Sequence, residues 1–242
     1  MSELQRSPGA TRGRGGEWYE ILLKEVERLG RVCYHNDIEP SNDLTWGFSV
    51  FVTAYSPRAQ EELPQALENW VQAQESWLRH RVRNPVFREE VINRFKLDIV
   101  YDDSLEGASA DRIRAEFRAW MAGLGLTATG DQTPRLVGVS MSPTPKENVC
   151  LVLDEASITV LAVLTFTGDP KSDAARFEGI NVRAIDCTWQ RPAESDDTWR
   201  GIGDVSIVGL AVLFKTIASP MRGYPEWGMM RDLHPLAGMP DY

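Results

Sequence analysis

The run from Leu44 to Tyr55, L-T-W-G-F-S-V-F-V-T-A-Y, constrains this chain more than any other segment. Read with the two-residue period of a strand, Phe48, Val50 and Val52 fall on one face, and Phe51 and Tyr55 on the other. A strand with bulk on both faces belongs in the interior of a sheet that is covered on both sides. Lys96 to Tyr101, Asn148 to Leu153, Val182 to Trp189 and Asp204 to Val208 read as further strands.

Helical patterns stand between them. Trp18, Ile21, Leu22, Val26 and Leu29 recur at helical spacing over Glu17 to Leu29, and Gly30 supplies a stop. Ser56-Pro57 is a helix start, with the serine as cap and the proline in the first turn. Leu67, Trp70, Val71, Trp77 and Leu78 form the stripe that follows, ending near Arg83. Pro64 predicts a turn and restart, or a kink, within it. A short helix is expected over Val86 to Phe95, a clear one over Ser109 to Leu124, and another over Leu210 to Ala218. Ala156 to Leu164 reads equally as a short helix or a strand, because Ile158, Thr159 and Val160 favour extended backbone.

The alternation predicts an α+β (mixed α/β) domain, with a sheet of about five strands covered by helices. Residues 1–16 read as a disordered tail. Residues 17–242 read as a single domain whose C-terminal part is irregular from about residue 219. A strand followed by an acidic pair occurs twice, at Val100-Tyr101-Asp102-Asp103 and at Leu153-Asp154-Glu155. The repeat predicts either two ferredoxin-like halves or two helix starts that share the same capping chemistry.

Charge and cysteine usage narrow the function. A net charge of −9 and a pI near 5.0 oppose binding to a phosphate backbone, so nucleic acid is not expected as a partner. The basic stretch of Arg79, His80, Arg81, Arg83, Arg88 and Arg94 reads as a solvated helix face answering Glu75, Glu89 and Glu90. No run approaches the roughly 20 apolar residues of a membrane span, and residues 1–16 lack the apolar core of a secretory signal. Cys33, Cys150 and Cys187 form no paired or zinc-type motif, and the latter two sit in apolar runs where a buried thiol is ordinary. A cytoplasmic setting is expected.

No phosphate cradle, zinc motif or nucleophile elbow occurs, so no cofactor or metal is expected. Asp98, Asp102, Asp103 and Asp154 are strand-end carboxylates that convergence could turn into a cation or proton-transfer site; helix capping is the competing reading. Cys33, His35 and Asp37 share one face of an extended segment, the spacing of a thiol with a base. Of the eight tryptophans, Trp70, Trp77 and Trp120 fall on helix stripes. Trp46, Trp189, Trp199 and Trp227 stand at strand ends or in loops.

Trp46-Gly47-Phe48 and the aromatic strand it opens, up to Ser56, with Leu151 to Glu155 later, resemble fungal proteins of similar length. That resemblance implies a cytosolic protein and no particular activity. From the residues, the leading expectation is a cofactor-independent protein that binds an apolar small molecule, as an isomerase, lyase or cyclase would. Tyr55, Tyr101 and Asp102 are its expected catalytic positioners, and Trp46, Trp189 and Trp199 its substrate wall, with Asp186 as a further polar group. The alternative is a protein–protein interaction module docking through Trp199, Trp227 and the proline-bearing tail.

Overall fold

A computed structural model describes residues 46–83, 85–123, 148–189, 200–211 and 213. The expected first helix, the Cys33–His35–Asp37 face, Trp199, Trp227 and both tails lie outside them.

Among the described residues, five strands form one mixed sheet: β1 (Ser49–Val52), β2 (Asp98–Val100), β3 (Val149–Leu153), β4 (Asn181–Asp186) and β5 (Ile202–Ser206), in the order β2-β1-β3-β4-β5. β1 pairs in parallel with β2 and β3, while β3–β4 and β4–β5 are antiparallel. The fold is α+β. Every residue of β1 is buried, as bulk on both faces required, and β1 lies inside the sheet.

Among the described residues, helices with both ends defined are α1 (Pro57–Arg81), α2 (Pro85–Asn93), α3 (Ala110–Gly123), α4 (Glu155–Ala162) and α5 (Pro170–Phe177), and residues 210, 211 and 213 are helical as well. Trp70 of α1, Ile158 and Leu161 of α4, and Phe177 of α5 share one core with Val50, Val52, Leu151, Leu153 and Ala184. On the opposite face α3 packs Ile113, Phe117 and Met121 against Phe51, Cys150, Val152 and Ile185. Burying a large apolar side chain contributes about 2 kcal/mol, so these two layers dominate the stability.

Helix α1 starts where Ser56-Pro57 predicts, with Ser56 Oγ accepting from the Ala59 amide at 3.1 Å. Of the two expectations at Pro64, the turn and restart is absent: α1 runs on to Arg81 with the proline inside it. Pro64 and Gln60, whose carbonyl loses its helical donor, are both exposed, where water can replace that bond. Leu63, Ala66 and Trp70 hold the helix from the buried side, and Trp70 Nε1 donates to the Ile207 carbonyl at 3.1 Å.

The ambiguous segment at 156–164 is helical as far as Ala162. Asp154 Oδ1 accepts from the Ser157 amide at 2.9 Å, and the cap together with burial of Ile158 and Leu161 outweighs the β-branched side chains. Asp102 Oδ1 accepts likewise from the Ser104 amide at 2.9 Å and opens the 3₁₀ turn Asp103–Leu105. The repeated acidic pair therefore marks two helix starts, and the strand order lends the ferredoxin-like halves no support. Helix α5, which the strand and helix periodicities do not announce, has the same signal in Asp169-Pro170, with Asp169 accepting from the Ser172 amide. In the basic stretch, Arg79 Nη1 and Arg88 Nε reach Glu89 Oε1 at 2.9 and 3.1 Å, the solvated pairing expected.

Candidate functional site

The chain leaving β1 turns to α1 on one face, and the chain leaving β2 reaches α3 on the other. Such a divergence opens a crevice at the carboxyl ends of the strands. Tyr55, Tyr101 and Asp102 meet there. The two rings stand edge to face, 5.0 Å apart. Tyr55 hydroxyl donates to the Val52 carbonyl at 3.0 Å and accepts from the Asp102 amide at 2.8 Å. Burial raises its pKa. The Tyr55 hydroxyl is thus taken up between backbone groups, while Tyr101 is 55% exposed and the exposed Asp102 caps the following turn through Oδ1.

The tryptophans lie elsewhere. Trp46 precedes β1 and Trp189 follows β4, so both sit at the amino ends of β1 and β3, a strand length of roughly 13 Å from the tyrosines. Trp46 is buried, donates through Nε1 to the Val91 carbonyl at 2.7 Å and packs on Phe95 at 4.8 Å. Asp98 opens β2 and is parted from Asp102, Asp103 and Asp154 by the same length. Among the described residues no group of three or more His, Cys, Asp or Glu could hold a metal ion.

At the Trp189 end, one buried cation organises three segments. Arg114, on the inner side of α3, donates through Nε to the Asp186 carbonyl at 2.8 Å, and through Nη2 to the carbonyls of Arg200 and of Gly201, the latter at 3.2 Å. Its Nη1 pairs with Asp111 Oδ1 at 2.6 Å, and its guanidinium lies 4.9 Å from the centre of the Trp189 ring. Gly201 has φ +66°, and a Cβ there would stand 2.6 Å from Trp189 Cβ. A planar fork can satisfy several acceptors at once, which a lysine cannot. Arg114 thus ties α3 to the end of β4 and the start of β5.

A groove of about 430 Å³ lies directly alongside this clamp, walled by α3 and its approach (Ala108, Ser109, Ala110, Ile113), by β4 (Arg183, Ile185) and by β5 (Ile202, Gly203, Asp204). Ile113, Ile185 and Ile202 are the chain neighbours of Arg114, Asp186 and Gly201, so the clamp sets the spacing of all three walls. The lining is apolar apart from Ser109, Arg183 and Asp204. Arg183 and Asp204 stand opposite each other in the β4–β5 register, both are exposed, and no ion pair joins them. Sequence reading misses Arg114, Arg183 and Asp204. The first was legible as a charge on the apolar stripe, three residues before Phe117; the other two acquire meaning only from the register.

Asp186 is the most perturbed acid of the clamp. It is fully buried; Oδ1 accepts from the Thr188 amide and hydroxyl, both at 2.8 Å, and from the Trp189 amide at 3.0 Å, while Oδ2 has no partner. Burial raises its pKa from 3.8 to about 6, against the opposing hydrogen bonds and the charge of Arg114. Between those two values the folded state holds the proton that the unfolded chain has lost. This group's contribution is therefore fully present below about pH 4, and is lost as pH rises through about 6, by about 3 kcal/mol. Urea midpoints measured between about pH 4 and pH 7 should show this falling limb. Asp186→Asn should remove it and be more stable than the parent at neutral pH; an unchanged limb would clear Asp186 of it.

No family model, no curated protein and no solved structure matches this chain. The resemblance to fungal proteins accordingly transfers no residue or activity, and the groove is interpreted from its own chemistry.

Proposed function

We propose that this protein binds a small amphipathic molecule, with an apolar body and a charged end, in the groove between α3 and strands β4 and β5. The observation that carries the reading is the groove itself: about 430 Å³, an apolar floor, and Arg183 and Asp204 unpaired at its rim. Ligand sites commonly enclose about 300–1,000 Å³, with apolar walls and a few polar groups that fix orientation. The proposal is for binding without a cofactor. Isomerase, lyase or cyclase chemistry would be a refinement of it, and would draw its positioning groups from Ser109, Arg183 and Asp204 in place of the tyrosines. Fully buried free thiols at Cys150 and Cys187 support a reducing, cytoplasmic setting. Among the described residues no helix is long and apolar enough to cross a membrane.

Native mass spectrometry after exposure to a cellular small-molecule extract tests the binding reading. The parent is expected to carry a discrete ligand mass, and Ala110→Phe, which fills the groove from the partly exposed start of α3, to carry none. Arg183→Ala should weaken the same ligand by about tenfold or more if its charged end is anionic, the weight of a charge-assisted hydrogen bond. A bare parent spectrum, or equal loading of parent and Ala110→Phe, would overturn the proposal. The interaction-module reading rests on Trp199, Trp227 and the tail, all outside the described residues.

A further inference from the structure

Beneath α3, on the sheet face that carries the groove, two thiols stand against each other. Cys150 in β3 and Cys187 just past β4 have their sulfur atoms 3.4 Å apart, and both side chains are fully buried. Cys150 lies opposite Ile185 in the antiparallel register, so Cys187 is its diagonal neighbour on the same face. The backbones are already pinned together there, because the Cys187 amide donates to the Asn148 carbonyl at 2.7 Å. With the sulfur atoms 3.4 Å apart, closing the bond asks for side-chain rotation and for the diagonal strand positions, roughly 7–8 Å apart in a regular ladder, to draw in to the separation a disulfide spans. Phe117 and Met121 of α3 belong to the same buried apolar cluster as the pair.

We infer that Cys150 and Cys187 are a latent dithiol that a small hydroperoxide converts to an intramolecular disulfide. The balance is complete: one sulfur attacks the peroxide oxygen and becomes a sulfenic acid, releasing the alcohol (water, when the oxidant is hydrogen peroxide); the second sulfur displaces the hydroxyl, releasing water and forming the bond. Two thiols are oxidised and one hydroperoxide is reduced. Cys187 is the first to react, because it sits at the bend beyond the strand while Cys150 lies within the sheet. Burial and the neighbouring sulfur push the Cys150 thiol well up, which keeps that thiol protonated and slow while α3 is seated. Outward movement of α3 therefore gates the reaction. Ile185 lies opposite Cys150 and lines the groove, so the bond would fix the β4 wall to β3. This inference does not depend on a ligand occupying the groove.

The experiment is native treatment with hydrogen peroxide in a Cys33→Ser background, followed by quenching, proteolysis without reductant and mass spectrometry. The expected product joins the peptides of Cys150 and Cys187 with the loss of two hydrogens, and a reductant separates them. Cys150→Ser should instead accumulate the sulfenic acid on Cys187, trapped by a dimedone-type probe. Two free thiols after native exposure, with the disulfide forming only in denaturant, would overturn the inference, as would stepwise overoxidation of each cysteine without a bridge.

Discussion

Arg114→Met is expected to lower the unfolding free energy by about 3–5 kcal/mol, the scale on which buried charges and their acceptors fail when one side is removed. Methionine keeps much of the stem volume but donates nothing. The carbonyls of Asp186, Arg200 and Gly201 would all lose their side-chain donor, and Asp111 its cation. The face of Trp189 would lose its guanidinium as well. Urea unfolding monitored by circular dichroism measures the loss. Arg114→Lys separates charge from shape: one ammonium cannot span acceptors on β4, β5 and α3 together, so it should recover only a minor part. Full recovery with lysine would mean that charge alone holds the three segments, and that the fork geometry is incidental.

Gly47→Ala should cost about 3 kcal/mol or more, although it adds a single methyl group. Gly47 has φ +138°, a conformation L side chains rarely adopt, and a Cβ there would overlap the Lys96 carbonyl. The clash is with backbone, which cannot rotate aside. The Lys96 amide donates to the Trp46 carbonyl at 2.9 Å, and the Asp98 amide to the Phe48 carbonyl at 3.0 Å, so the two segments are fastened on either side of the glycine. Gly107→Ala is the control. It has φ +61° with open space around it, and should cost only about 1 kcal/mol. Equal thermal shifts for the two variants would show that the close approach at Gly47 carries no special weight.

Much of the fold is written in local pattern. The two-faced bulk of β1, the Ser56-Pro57 start of α1 and the stripe Ile113, Phe117, Met121 of α3 each follow from side-chain period or cap chemistry, and each is where that chemistry puts it. At Pro64 the helix continues because the lost bond falls on its exposed side, and that side is set by tertiary packing. The candidate site is far less legible. Tyr55, Tyr101 and Asp102 do come together, with the Tyr55 hydroxyl taken up between the Val52 carbonyl and the Asp102 amide, which spacing along the chain does not reveal. The groove is built by register: Arg183 faces Asp204 only through the pairing of β4 with β5, and Arg114 gains its role from carbonyls some 70 to 90 residues away. Local sequence carries no record of such distant pairings.

The central claim is that the walls held by Arg114 form the binding site. Hydrogen–deuterium exchange of the parent and of Ala110→Phe, each with and without the cellular small-molecule extract, tests it most directly. Slower exchange is expected in the parent along residues 108–113, 183–185 and 202–204, with no change in Ala110→Phe. Protection centred on residues 53–56 and 101–103, or the same protection in Ala110→Phe, would contradict it and return the site to the tyrosine crevice at the carboxyl ends of β1 and β2.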